Sequence, residues 1–486
     1  MTALAGVPAL AAQQPSAAQL AAIDTTISRL FALGLSPGLG VVVVRDTQIL
    51  YMKGFGFADA ESRRPFTPQT VFYVASTTKA FTGLAAAILD GQGRFRLDAP
   101  LSRYLPGVKL PAPLDPDSIT IRALLSHTHG IGEGPVPMRL AYTGEYRGND
   151  HLIALLAEHQ PLRSRDYSYS NTGYNVATLA MDRVTGESWK QTLDRLIFRP
   201  LGMRNTSGNV SPVPPDRLAL PYRSTPSGFA RVPYGKTDAN MQSAGGLVTT
   251  LEDEARWLEA QLNQGRVDGR QVLPAAAVRE AQTIQARYQR NVRGVEMMGY
   301  GLGWNVGRYK GDTLFVHGGG FAGFATHASF IPGRRLGVVT MANTGDLGSP
   351  LVELVAQGIY DVLASDEPVG SDSLAALRGL AEGQRSRIQA DLDRRAARPQ
   401  TMPLPFAAYA GTYESPVMGT LVLSLNPQGR LEARAGAAWS AVEVYDGTRH
   451  QLRIELFGGG SVLTMAVAGD RVVSATLSGV RYTRVR

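Results

Sequence analysis

Ser76 stands three residues before Lys79, and on a helix that offset stacks a hydroxyl and an amine on one face, a turn apart. A neutral amine in that place can take the hydroxyl proton and make Ser76 a nucleophile, which is the chemistry of acyl transfer. Of Lys53, Lys79, Lys109, Lys190, Lys236 and Lys310, only Lys79 has a Ser at that offset. Two more stretches follow in order, Tyr169-Ser170-Asn171 and His317-Gly318-Gly319-Gly320. A phenol beside a Lys ammonium has its anion favoured, so Tyr169 could shuttle protons near neutral pH. Gly318, Gly319 and Gly320 carry no side chain to block a substrate backbone lying along a strand edge.

The elements that must position these groups are legible around them. Val71, Phe72, Tyr73 and Val74 lead in, and Phe81, Leu84, Ala85, Ile88 and Leu89 follow at helical spacing until Gly91, which predicts a helix over 76–89. Ser76 then falls near a helix N-terminus, where N–H groups and the dipole favour an alkoxide and an oxyanion. Lys79 falls inside a buried helix, where desolvation favours the neutral amine. Thr313 to His317 reads as a strand, and Ala325 to Ile331 and Leu336 to Met341 continue it as an antiparallel meander. Gly40 to Val44 and Ile49 to Tyr51 form a hairpin around Asp46 that is expected to join the same sheet. Helical segments over 151–159, 173–184, 189–198 and 251–262 lie between, so the fold class is α+β, with the site where the sheet meets a helical lobe. The stretch from Ser207 to Lys236, rich in Pro, Gly and Ser, is expected beside the cleft mouth, with Tyr222 and Tyr234 either touching substrate or packing the loop.

At these motifs the chain resembles the penicillin-recognising serine hydrolases, the superfamily of class C β-lactamases, D-Ala-D-Ala carboxypeptidases, D-aminopeptidases and β-lactamase-like esterases. The likeness runs from about residue 21 to about residue 363, and Leu124 to Gly130, Tyr169 to Tyr174, Pro200 to Met203 and Ala244 to Leu247 share in it. It implies a β-lactamase/transpeptidase-like catalytic domain in which Ser76 is acylated and Lys79 assists. Tyr169 acts as general base and later as proton donor, and Asn171 bonds the Lys79 amine and the substrate amide. The N–H groups of Ser76 and Gly320 form the oxyanion hole. The commonest pattern has Lys-Thr-Gly where this chain has His317-Gly318-Gly319, and that Lys and Thr hold a substrate carboxylate. A His is only partly charged near neutral pH. The resemblance therefore ranks a peptidase on D-amino-acid peptides or peptidoglycan fragments above a promiscuous esterase, and both above an efficient β-lactamase. A catalytically silent envelope-binding protein on the same fold is the competing class.

Other chemistry finds little footing. No Cys is present, and His151, His159, His327 and His450 form no ligand-spaced cluster with His127 and His129, so no metal site is expected; that segment reads as a turn ending a helix, with Gly130 as the stop. No G-x-S-x-G elbow, phosphate loop or strand-to-helix G-x-G-x-x-G occurs, and no cofactor is expected. The net charge of +8 is spread along 486 residues without a basic, aromatic-laced run, which excludes a nucleic-acid face. The partner expected is a small peptide, ester or β-lactam substrate, with a homo-oligomer open. Residues 1–15 resemble a signal-peptide remnant, so export is expected, and no apolar run reaches the roughly 20 residues of a membrane span. The catalytic domain is read over 16–363 and a polar helical linker over 364–402. Over 403–486, six short alternating segments (421–425, 431–434, 441–445, 452–456, 462–467 and 472–477) predict a small antiparallel barrel that looks like a lipocalin-like domain.

Overall fold

Val41 to Val44 is an uninterrupted apolar run, the pattern of a strand covered on both faces. The structure, a computed structural model, describes residues 15–365, 371–456 and 458–485, so the signal-like residues 1–14 lie outside it. The valines lie in the strand Gly38–Arg45, inside an antiparallel sheet of nine strands among the described residues. Its order is 286–292, 295–300, 305–309, 312–321, 324–331, 336–342, 38–45, 48–59 and 64–65. The N-terminal hairpin and the meander thus share one sheet, joined through Val41↔Thr340 and Val43↔Val338.

Side chains alternate across that sheet. Val41 and Val43 pack with Ile23, Ile27 and Leu30 of the helix Ala17–Phe31 and with Leu351, Val355 and Ile359 of the helix Gly348–Ser365. Val42 and Val44 face the other cluster, with Leu251, Ala255 and Leu258 of the helix Leu251–Leu262 and, beyond it, the helical lobe built on Thr78–Gly91 and Asn171–Thr185. The first helix was not expected, although its signals are present: Ser16 and Gln19 form a capping box, and Ile23, Ile27 and Leu30 recur at helical spacing.

One feature of the sheet prepares the site. The strand Asn305–Tyr309 pairs with Asp312–Phe321 only from Tyr309↔Asp312 to Asn305↔Val316. Among the described residues, 317–321 therefore pair with the strand Phe324–Ile331 alone, and at Gly319 the loop leading to Ser76 comes close through the Val74 carbonyl.

The C-terminal residues form a second nine-strand antiparallel sheet among the described residues, a nearly closed barrel whose two ends are Ala438–Ala441 and Glu443–Asp446. The sequence predicts six of these strands and misses 411–415, 438–441 and 480–484, each only four or five residues long. The segment expected at 441–445 straddles the break at Val442, where the barrel's two ends meet. The long helix Ser371–Ala396 runs into this region and joins it through Arg395, which pairs with Glu443.

Arg139 locks the barrel to the helical lobe. Its side chain, 7% exposed, donates from Nε to the Val417 carbonyl at 3.1 Å, from Nη2 to the same oxygen at 3.0 Å and from Nη1 to the Glu145 carbonyl at 2.9 Å. Glu145 returns the contact by accepting the Thr420 N–H at 3.0 Å, and Ala437 N–H donates to the Thr143 carbonyl at 3.1 Å. Arg139→Met leaves these part-buried acceptors without a charged donor and is expected to cost about 1–3 kcal/mol. Thermal unfolding together with limited proteolysis checks this; a melting temperature and cleavage pattern equal to wild type would contradict it. Among the described residues, no helix is long and apolar enough to cross a membrane.

Candidate active site

The chain enters the site through Phe72–Tyr73, a short strand paired with Val248–Thr249, and turns sharply at Ala75, which holds a left-handed φ of 48°. That conformation costs a non-glycine residue on the order of 1 kcal/mol or more. The turn sets Ser76 in a single 3-10 turn, Ala75–Thr77, at the head of the helix Thr78–Gly91. The first N–H groups of such a helix lack intrahelical partners and point at whatever sits on the serine. The helix is buried from Thr78 to Leu89, and Gly303, at φ +101°, lets the neighbouring loop approach it so closely that an added Cβ would lie 2.4 Å from Ala80 Cα.

Lys79 is 0% exposed. Its Nζ donates to the Asn171 Oδ1 at 2.8 Å and to the Ala244 carbonyl at 2.7 Å, and lies 3.2 Å from Ser76 Oγ. The first two partners only accept, so they consume two N–H bonds of the amine and leave its third direction aimed at Ser76. That direction holds a proton in the ammonium and a lone pair in the amine. Burial lowers the Lys79 pKa to about 7, with the negative charge of Glu133 acting the other way, so both forms are present at neutral pH.

Tyr169 is 44% exposed as a residue, yet its hydroxyl end is desolvated and within the influence of Ser76. Lys79 Nζ sits 4.7 Å from its ring centroid. The ammonium-stabilised phenolate expected from sequence is not the resting form. Burial raises the Tyr169 pKa, the Glu133 charge adds to the rise, and only Ser76 opposes it. The resting site therefore carries a protonated Tyr169 beside a readily deprotonated Lys79. Asn171 opens the helix Asn171–Thr185, whose cap is the Ser170 hydroxyl accepting from Thr172 N–H at 3.0 Å.

His317 lies across the cleft and is uncharged, which corrects the partial charge expected of it. Burial and then the neighbouring Lys79 push its pKa down to about 3. Its Nδ1 faces the Gly318 carbonyl at 2.8 Å, an acceptor, so Nδ1 carries the proton; Nε2 then accepts from the Tyr300 hydroxyl at 3.2 Å. The three glycines serve two purposes rather than one. An added Cβ at Gly319 would lie 2.2 Å from the Val74 carbonyl, so Gly319 exists for the close approach of strand and serine loop, whereas Gly320 has nothing within 4 Å and Gly318 only Thr326 O at 3.9 Å.

Sequence reasoning missed three residues here. His127 sits at φ 63° and ends the helix Ile121–Leu125 sooner than Gly130 was expected to. Buried, it accepts the Ser170 N–H at 3.2 Å through Nδ1, and its ring lies 4.6 Å from those of both Tyr169 and Tyr300. It thus braces the Tyr169 loop from behind. Tyr300 orients His317, and Glu133 holds the head of the Asn171 helix. Of these, Glu133 alone carried a signal, its place between Gly132 and Gly134. The Tyr222 hydroxyl is committed elsewhere: it donates to Asp59 at 2.8 Å and accepts from Ala60 N–H at 2.8 Å. Tyr234 bonds the Ala141 and Tyr142 carbonyls, each at 2.8 Å, and is a packing residue of its loop.

Known proteins agree with this architecture. Protein flp of Staphylococcus aureus is 26% identical over 329 residues, 66% of this chain, and the match spans 62% of its own length. The unguisins hydrolase ungD' of Aspergillus campestris is 29% identical over 324 residues, covering 63% of this chain and 58% of that protein. The chain thus spans about three fifths of the length of the curated relatives it matches. The octameric penicillin-binding protein homologue from Pyrococcus abyssi superposes with a TM-score of 0.57 at 19% identity, over 96% of this chain and 100% of that one, barrel included. The family model described as Beta-lactamase matches residues 23–356, the stretch that holds every site residue above, and the chain belongs to the Beta-lactamase family, with hydrolases among its relatives.

Proposed function

We propose that the chain is a serine hydrolase that is acylated at Ser76 by an amide or ester and passes the acyl group to water. The observation that carries this reading is the Ser76 hydroxyl 3.2 Å from the buried Lys79 amine, which in turn sits 4.7 Å from the centre of the Tyr169 ring. In acylation, Lys79 takes the Ser76 proton as Oγ attacks the substrate carbonyl carbon. Charge gathers on the carbonyl oxygen and is met by the N–H groups of Ser76 and Gly320, the oxyanion pair implied by the family likeness. Collapse breaks the bond to the leaving amine or alcohol, which takes the Tyr169 proton, and the Lys79 ammonium then reprotonates the phenolate. In deacylation a water gives its proton to Lys79 while its oxygen adds to the acyl carbon, and Ser76 Oγ leaves with that proton. The division into a catalytic domain over 16–363, a linker over 364–402 and an accessory barrel over 403–486 belongs to the same proposal.

The substrate class follows from His317. A neutral imidazole already engaged with Tyr300 and Gly318 gives no charged anchor to a carboxylate, so carboxylate-anchored β-lactams and D-Ala-D-Ala-type free acids rank below amides and esters that lack that group. D-amino-acid peptides without a required C-terminal carboxylate come first and simple esters second. The test compares kcat/KM for a D-amino-acid dipeptide as its free acid and as its carboxamide. The amide is expected to match or exceed the acid; a preference of about tenfold or more for the acid, worth ~1.4 kcal/mol, would overturn the substrate assignment.

A further inference from the structure

Lys79 is faced from every side by groups without charge. Tyr169 and Tyr174 present ring faces to its Nζ at 4.7 and 5.6 Å, and Asn171 and the Ala244 carbonyl accept from it. His127 and His317, whose protonated forms Lys79 disfavours, are held neutral by burial. Among the described residues, the negative charge that acts on Lys79 is that of Glu133. This residue is delivered by a tight piece of backbone: Gly132 N–H donates to the Gln160 carbonyl at 2.8 Å, and an added Cβ at Gly132 or Gly134 would strike Gln160 O at 2.6 Å or the His159 ring at 2.7 Å. Both carboxylate oxygens are then used at the head of the Asn171 helix. One accepts the Asn171 N–H and the other accepts from Thr172 Oγ1 at 3.2 Å. A continuous path results, from the Glu133 carboxylate through the Asn171 backbone to Asn171 Oδ1, Lys79 Nζ and Ser76 Oγ.

We propose that Glu133 is a positioning residue of the hydrolytic site: it fixes Asn171 beneath the Lys79 amine and supplies the negative charge against which that amine holds its proton. The inference rests on the acyl-Ser76 reading with Lys79 as base. A carboxylate at a helix N-terminus also stabilises the helix, worth a fraction of a kcal/mol at an exposed site, and the test must separate the two roles. Glu133→Gln does so, because Gln keeps an oxygen for the Asn171 N–H and removes the charge, while its amide nitrogen can donate to the Thr172 hydroxyl that the second carboxylate oxygen accepted from.

The experiment records kcat/KM against pH for wild type, Glu133→Gln and Glu133→Asp on one ester, with Ser76→Ala as control. Without the charge Lys79 loses its proton more readily, so the ascending limb of Glu133→Gln is expected to move to lower pH by roughly half to one unit. The alkaline limb set by Tyr169, which Glu133 also raises, moves the same way. Glu133→Asp keeps the charge and leaves the limbs within about a third of that shift, and it carries the comparison if the Gln variant does not fold: an Asp variant with limbs displaced as far as a neutral residue would displace them overturns the proposal. A Glu133→Gln profile that is lowered at every pH with limbs unmoved also overturns it and leaves a helix-capping role. Full activity of Ser76→Ala would instead break the underlying reading, and a flat wild-type profile with Ser76-dependent turnover would break both Lys79's role and Glu133's.

Discussion

Ser76→Ala is expected to abolish hydrolysis, with a loss on the order of 10⁴-fold or more in kcat, because the step that divides one hard displacement into two easier ones disappears with the hydroxyl. The remaining apparatus, the helix N-terminus and the open edge of the strand Asp312–Phe321, still binds the carbonyl and leaves a small residual rate. The fold should not suffer, since Ser76 is half-buried and its hydroxyl's partner is the Lys79 amine, which keeps Asn171 and the Ala244 carbonyl. A variant with unchanged melting temperature and no turnover is the expected pair of results. If the wild type hydrolyses no amide or ester and Ser76→Ala performs equally in the cell, the silent envelope-binding alternative takes over.

Lys79→Ala carries the second large effect, a loss of ~10²-fold or more in kcat/KM. Removing the side chain takes away the base and also leaves the Asn171 and Ala244 oxygens without their donor. Tyr169→Phe is expected to lose a similar factor but through the leaving group, so it should be mildest for esters with good leaving alcohols. The pH profile distinguishes the two residues. Lys79 must be neutral to act, and its pKa is lowered to about 7, so kcat/KM rises with pH up to about 7 and levels off above it. Tyr169 must be protonated to act, and burial raises it above its ordinary 10.0, so the fall at high pH begins only above 10. A profile that falls between pH 7 and 9, or Lys79→Ala and Tyr169→Phe within a few-fold of wild type, would contradict these roles.

The elements that bring Ser76, Lys79, Tyr169 and His317 together were readable because each motif lies on an element with its own periodicity. The Ser76 helix announces itself through Phe81, Leu84 and Leu89, and the His317 strand through the alternating meander after it. What escaped depends on sums over three-dimensional surroundings. The protonation of Tyr169 is one case: adjacency to a lysine suggested a phenolate, but the desolvation of the hydroxyl outweighs it, and Lys79 answers the same burial by shedding its own charge. His317 is another, since only the fold reveals that Tyr300 and its own neighbour's carbonyl satisfy the ring. His127 was read as part of a turn, which it is, but the left-handed turn also drives the ring into the core against Tyr169. In the barrel, strands such as Ala438–Ala441 hold too few β-branched residues to stand out, and they form because the sheet beside them supplies a register. For Tyr222 and Tyr234 the sequence leaves substrate contact and loop packing both open, and their hydroxyls bond Asp59 and the Ala141 carbonyl.

The most direct test of the central claim is intact-protein mass spectrometry after incubation with an alkyl fluorophosphonate, followed by peptide mapping, on wild type and Ser76→Ala. An activated serine displaces fluoride and forms a stable phosphonyl ester whatever the natural substrate is, so the outcome does not depend on the substrate assignment. One adduct per chain, mapped to Ser76 and absent from Ser76→Ala, is the result predicted. No adduct on a folded wild-type chain, or an adduct elsewhere that persists in Ser76→Ala, would contradict the account of Ser76 as the nucleophile.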